Sequence, residues 1–164
     1  MSRALVCLSA LAVLSAASAT AQAGPWKRHR SKKLGFSMPV PRGTAFTETS
    51  WPGGWGGLAA DRDGLKLLVA VKPGEKKTAA QIEALAHRLS GIADKHWTVK
   101  RTRKARGGWG WFNIARASHG KNVAHAVYGL GPRGTYLMLA LTSPAGARKH
   151  RAALARWTRG VRLH

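Results

Sequence analysis

The sequence predicts an α+β domain in which an antiparallel sheet of about six strands is flanked by helices. Three observations carry this. Short alternating or wholly apolar runs are separated by Gly, Pro and Asp-Gly turn signals. Two other segments space their apolar residues by three and four, as a helix does. Beyond an apolar leader, about 140 residues remain, enough for one domain. The unit from Lys121 to Leu163 organises the rest: two strands joined by a Gly/Pro turn, then a basic amphipathic helix.

The leader comes first. Met1-Ser2-Arg3 is a short positive region, Ala4 to Ala19 is uncharged and rich in Ala and Leu, and Ala21-Gln22-Ala23 offers small residues to a signal peptidase. Cleavage is expected between Ala23 and Gly24, which makes the protein secreted or periplasmic. A retained membrane anchor is the competing reading, but the run is rich in Ala and Ser and falls short of the roughly 20 strongly apolar residues that span a bilayer. Cys7, the single cysteine, lies inside the leader. The exported chain is therefore expected to have no thiol, disulfide or cysteine ligand, and its core must hold the fold unaided. The expected organisation is a signal peptide at 1–23, a basic flexible lead-in at 24–33 and one α+β domain at 34–164.

Charge is the strongest compositional signal. The chain has 28 Lys+Arg against 6 Asp+Glu, a net charge of +22. Removing residues 1–23 takes away only Arg3, so 27 cations and 6 acids leave +21. Such an excess favours anionic surroundings. Arginine-heavy codon usage or an acidic habitat would produce the same composition without a binding role.

The elements follow in order. Gly24 to Lys33 has little to bury beyond Trp26 and is expected to be poorly ordered, a linker or a polybasic tether. Leu34, Phe36 and Met38 alternate as in a strand that Pro39 and Pro41 should end. Thr44 to Thr49 is a second short strand. Trp51 to Gly57, with four glycines and a proline, should be an irregular loop. Its tryptophans, Trp51 and Trp55, either present a stacking surface or fold back over the end of the core. Leu58 to Ala60 and Leu65 to Lys72 form a hairpin around Asp61-Arg62-Asp63-Gly64, with Asp-Gly as the turn signal. Thr78 to Asp94 is a helix opened by the capping box Thr78-Ala79-Ala80-Gln81, with Ile82, Leu85, Ala86, Leu89, Ile92 and Ala93 on one stripe. Trp97 to Arg103 is a strand, and Trp109 to Ser118 pairs with Val123 to Leu130. Thr135 to Thr142, nearly all apolar, suits a strand covered on both faces. Ser143-Pro144 starts the last helix, which Gly160 ends. Ala147, His150, Leu154 and Trp157 form its buried stripe.

A second stripe on that helix is cationic. Arg148, Arg151, Arg159 and Arg162, with Lys149 and Arg156 at its edges, form a candidate docking face for anions, or simply a solvated outer surface. Catalytic constellations find no support. The acids Glu48, Asp61, Asp63, Glu75, Glu83 and Asp94 are scattered apart from one Asp-x-Asp in a turn. No two histidines show the spacing that converges on a metal, and no Gly-x-Ser-x-Gly elbow occurs. No cofactor or metal is expected. Nucleic acid would attract the charge in vitro, but no recognisable reader is present, and export argues against it as a physiological partner.

Gly35-Phe36-Ser37-Met38-Pro39-Val40-Pro41 resembles the F-x-[ILM]-x-x-P opening strand of the PsbP-like superfamily, which includes the extrinsic PsbP proteins of photosystems, DcrB-type periplasmic proteins and LpqN-type lipoproteins. The succession of hairpin, capped helix, meander ending in Gly134-Thr135-Tyr136-Leu137-Met138, and closing helix is similar too, over about residues 34–163. The resemblance implies an α/β/α sandwich and a non-catalytic binding or accessory role. The lipoprotein cysteine has no counterpart here.

The expected function is thus an exported, non-catalytic accessory protein. Its partner would be an anionic lipid, lipopolysaccharide or acidic polymer, or an acidic protein. A protein–protein adaptor using the Trp51/Trp55 loop is one alternative, and a hydrolase with a spatially assembled site is another.

Overall fold

The computed structural model describes residues 25–102 and 105–164. The leader and its expected cleavage site lie outside the described residues. In chain order the strands are β1 (Trp26–Ser31), β2 (Phe36–Pro41), β3 (Thr47–Trp51), β4 (Trp55–Arg62), β5 (Leu65–Pro73), β6 (Trp97–Thr102), β7 (Trp111–His119), β8 (Asn122–Gly131), β9 (Gly134–Thr142) and β10 (Arg162–Leu163). The helices are α1 (Ala79–Ser90), α2 (Pro144–Lys149) and α3 (Arg151–Gly160), and one 3₁₀ turn covers Asp94–His96.

Seven strands, rather than about six, form one antiparallel sheet in the order β3-β4-β5-β9-β8-β7-β6. A separate three-stranded sheet has the order β1-β2-β10. Tight turns set the register. Asp63 and Gly64 both take positive φ, 55° and 71°, between the paired residues Arg62 and Leu65. That is the two-residue geometry whose twist matches the strands it joins, which is why Asp-Gly announces it.

Side-chain alternation sorts the core into two layers. Leu65, Leu67, Val69 and Val71 of β5, with Tyr136 and Met138 of β9, face the small sheet and the last two helices. Leu68, Ala70, Leu137 and Leu139 face the opposite way, towards α1. One face is thus covered by α1, the other by β1-β2-β10 together with α2 and α3. The expected sandwich holds as layers, but its second outer layer is a mixed sheet-and-helix layer.

The capping box of α1 is formed: Gln81 N–H donates to Thr78 Oγ1, and Thr78 N–H donates to Gln81 Oε1, at 3.3 and 3.0 Å. The helix stops at Ser90, four residues short of the expectation. Gly91 takes φ 67° and its N–H reaches the His87 carbonyl at 2.9 Å, a left-handed cap. Ile92 stays buried beyond it, and Trp97 Nε1 donates to its carbonyl at 3.1 Å.

Three further expectations are corrected. The lead-in is not flexible chain, because Trp26–Ser31 forms β1 along the whole of β2. Pro39 does not end its strand, which runs on to Pro41 and stops there, since β10 pairs only with Phe36 and Ser37, and past them β2 has no second neighbour needing an N–H. The last helix is not continuous. His150, 1% exposed, breaks it with φ −98° and ψ 12°, its Nε2 3.1 Å from the Asp63 carbonyl and its ring edge-on to Trp26.

Candidate functional site

Helix α3 covers only part of its side of the large sheet. Leu154, Trp157 and Val161 pack into the core with Phe36, Met38, Phe112 and Val127. The sheet runs on past β8 into β7 and then β6, a strand with no fully buried residue.

Register decides what this uncovered end displays. β6 and β7 pair Thr98 with Arg116, Lys100 with Ile114, and Thr102 with Phe112. Cross-strand partners share a face, and Phe112 and Ile114 place that face on the α3 side. Trp97, Val99 and Arg101 point to the α1 side. The floor is therefore three cross-strand rows, with α3 as one wall.

The result is a groove of about 650 Å³ lined by Thr98, Lys100, Thr102, Arg106, Ile114, Arg116, Ala155, Thr158 and Arg159. Four of these residues are cations and none is an acid. Arg106 is held at one end, its guanidinium carbon 4.9 Å from the centre of the Phe112 ring. Thr102 Oγ1 is buried there without a hydrogen-bond partner. Among the described residues, none of the four cations joins an ion pair; the acids that do are Glu48, Asp63, Glu75 and Asp94, elsewhere in the fold. The groove can therefore offer three threonine hydroxyls and four positive charges to a carboxylate or phosphate.

His125 extends the floor on β8, opposite Arg116. Burial, then the Arg116 charge, lower its pKa from 6.5 to about 4. The ring is thus neutral at pH 7, and its Nδ1 is buried without a partner. A shallower depression lined by His96, Thr98, Arg116 and His125 continues from this end.

Of the six helix cations singled out in the sequence, only Arg159 enters the groove. Arg148, Lys149, Arg151 and Arg156 are exposed, and the break at His150 divides them between α2 and α3. Arg162 lies in β10 and donates to the carbonyls of Arg159 and Val161 at 2.7 and 3.2 Å, finishing the helix end. Lys100, Arg106 and Arg116 were not singled out as a group. Alternation along Trp97–Thr102 and Trp111–His119 was the available signal, but it needed the register across the intervening loop.

The aromatic loop is a hairpin. Trp51 and Trp55 pair across β3 and β4 around Pro52-Gly53-Gly54. Trp55 is only 6% exposed and packs with Leu68 and Ile82, so the pair covers the end of the core. Two other polar clusters occur. The Tyr128 hydroxyl donates to Glu83 and accepts from Asn113 Nδ2 between α1 and the sheet. Burial, then the Glu83 contact, push the Tyr128 pKa up. His164 Nε2 lies 3.1 Å from Ser37 Oγ, but Arg28 donates to the same oxygen at 3.2 Å, and neither residue lines the groove.

No protein-family model matches the chain, and no curated protein matches it in sequence. Among solved structures, its fold is similar to the solution structure of cyanobacterial PsbP (CyanoP) from Synechocystis sp. PCC 6803. The TM-score is 0.49 and the identity 12%, over 96% of this chain and 99% of that one. This is a likeness of fold alone.

Proposed function

We propose that this is an exported, non-catalytic accessory protein that holds an anionic partner in the groove between β6, β7 and α3. The observation that carries the reading is the convergence of Lys100, Arg106, Arg116 and Arg159 on one groove lined by no acid. Cations gathered in this way repel one another, and a bound carboxylate or phosphate removes that repulsion. The Arg106–Phe112 contact and the rigid β-sheet floor fix part of the constellation before the ligand arrives, which lowers the entropy lost on binding.

The acids support binding over catalysis. Glu48 and Glu75 are held by lysines, Glu83 by Tyr128, and Asp63 and Asp94 lie beside Arg62 and His87. Asp61 lines a separate depression. None stands in the groove to act as a general acid or base. Export rests on the leader at 1–23, and mass spectrometry of the secreted chain tests it by locating the new N-terminus.

The groove is tested with two variants of equal net charge. Lys100→Glu/Arg116→Glu/Arg159→Glu reverses the groove, and Arg148→Glu/Lys149→Glu/Arg151→Glu reverses the helix face. Binding to anionic vesicles, lipopolysaccharide, an acidic polysaccharide and an acidic peptide is measured at physiological salt. The groove variant should weaken binding to the true ligand class roughly tenfold or more, and the helix variant by about twofold at most. Equal weakening by both would assign binding to overall charge and sink the reading.

A further inference from the structure

We infer that the partner is an acidic segment of another protein, bound in extended form as an added strand on the open edge of β6. The inference rests on the anion-binding reading of the groove and names the class of ligand that the edge beside it selects.

Four observations converge. First, β6 is the last strand of the seven-stranded sheet and, among the described residues, pairs on one side only, with β7. Its outer edge therefore presents the N–H and C=O groups that an incoming extended chain can complete. Second, the groove runs along this same strand and is organised by its rows. Arg116 stands in the Thr98 row, Lys100 in the Ile114 row, and Arg106 over the Phe112 of the Thr102 row. That is one cation per row, and rows repeat every two residues, about 6.8 Å. An added strand repeats on each face with the same period, so acids at alternate positions meet successive cations.

Third, the other face of β6 asks for something different. Among the described residues, Val99 is the only large hydrophobic side chain that stands exposed, at 37%. It faces away from the groove, beside Ala115 and between the Trp97 and Arg101 rows. An apolar residue on the added strand would cover it. The two faces together specify a sequence that alternates acidic and apolar residues. A flexible polyanion or a lipid headgroup would use the cations but leave both the strand edge and Val99 bare.

Fourth, charge selects the occupant. Lys100 and Arg101 on an edge strand guard against pairing with a like-charged strand. A second copy of this chain, at +22, meets that guard in full. An acidic strand meets attraction instead, so the same two residues exclude self-association and admit the partner.

The test uses the full chain and synthetic peptides. A short peptide alternating glutamate and valine is compared with three controls: the same composition arranged in blocks, the alternating peptide N-methylated at every second amide, and its lysine–valine counterpart. Fluorescence anisotropy gives affinity, and amide hydrogen exchange reports where the peptide sits. The alternating acidic peptide should bind roughly tenfold or more tightly than each control and protect the amides of Trp97–Thr102. Lys100→Glu/Arg116→Glu should abolish that advantage, and the N-methylated peptide gives the same information with no change to the protein.

Equal binding of the N-methylated and unmodified peptides would overturn the added strand. So would protection confined to α3. If acidic polysaccharide or anionic vesicles bind with the same sensitivity to groove reversal while peptides do not, the groove reading stands and this inference fails. If no anionic probe responds to groove reversal, both fail.

Discussion

His125 makes the fold sensitive to acid at a place adjoining the groove, and the size of the effect follows from its surroundings. Its pKa falls from 6.5 to about 4 because burial disfavours the imidazolium and Arg116 repels it. Between those values the unfolded chain binds a proton that the folded chain refuses. Stability is then fully present above about pH 6.5 and is lost as pH falls towards 4. At about 1.4 kcal/mol per unit, the full shift corresponds to about 3 kcal/mol. The ring is half-buried and Arg116 is exposed, so solvent and salt screen the Arg116 share, leaving about 1–3 kcal/mol.

The perturbation is His125→Leu, which cannot titrate and removes a buried nitrogen without a partner. Urea unfolding of both proteins is followed at several pH values from 7.5 to 4. Every other titrating group is common to the two, so the difference between their pH slopes isolates His125. The variant should keep about 1–3 kcal/mol more of its neutral-pH stability at pH 4. An anion in the groove lies near Arg116 and should shrink the wild-type loss. Parallel pH curves for the two proteins would refute the account of His125.

Three further outcomes follow from the packing. Thr78→Ala removes the hydroxyl that accepts from Gln81 N–H, one half of the α1 capping box, and should cost about 1 kcal/mol in urea unfolding, with the fold unchanged by circular dichroism. Gly57→Ala places a Cβ inside the Val69 carbonyl oxygen of the neighbouring strand, so β4 and β5 must part; a loss on the order of 4 kcal/mol or an insoluble product is expected, against near-neutrality if the strands shift freely. Trp55→Ala empties a core position and should cost about 3–5 kcal/mol while leaving anion binding by the folded fraction intact. Lost affinity without lost stability would restore the adaptor reading of the Trp51/Trp55 hairpin.

The legible parts of the fold were those fixed by local chemistry. Asp63-Gly64, Thr78 with Gln81, and Ser143-Pro144 each do locally what their residue types allow, and each appears where the sequence places it. The illegible parts depend on distant partners. Trp26–Ser31 has no apolar pattern of its own and becomes a strand because β2 offers it an edge and the core takes up Trp26 and His29. Gly56 and Gly57 read as loop because glycine is free, yet Gly57 is needed in β4 because β5 runs too close for any side chain. The last helix breaks because His150 reaches a carbonyl 87 residues earlier in the chain. The groove was hidden for the same reason. Its cations come from β6, a loop, β7 and α3, and only the pairing of β6 with β7 brings three of them into successive rows.

The position of the groove follows from where the core runs out. The inner strands β5 and β9 are buried on both faces, while β6 has no fully buried residue at all. On its groove face β6 offers a side chain little desolvated apolar contact, so the identity of the residues there is free to serve another purpose. Cations tolerate the site because they remain hydrated until an anion replaces the water. The helix cations Arg148, Lys149, Arg151 and Arg156 are exposed as the groove cations are, but they lie outside the groove, where counterions screen them freely. In the groove the sheet floor and α3 exclude part of that screening, so an equal charge acts at a lower effective dielectric. The spread of positive charge over the whole chain can then draw anions in from a distance, while discrimination among them falls to the few cations whose spacing the β-sheet register sets.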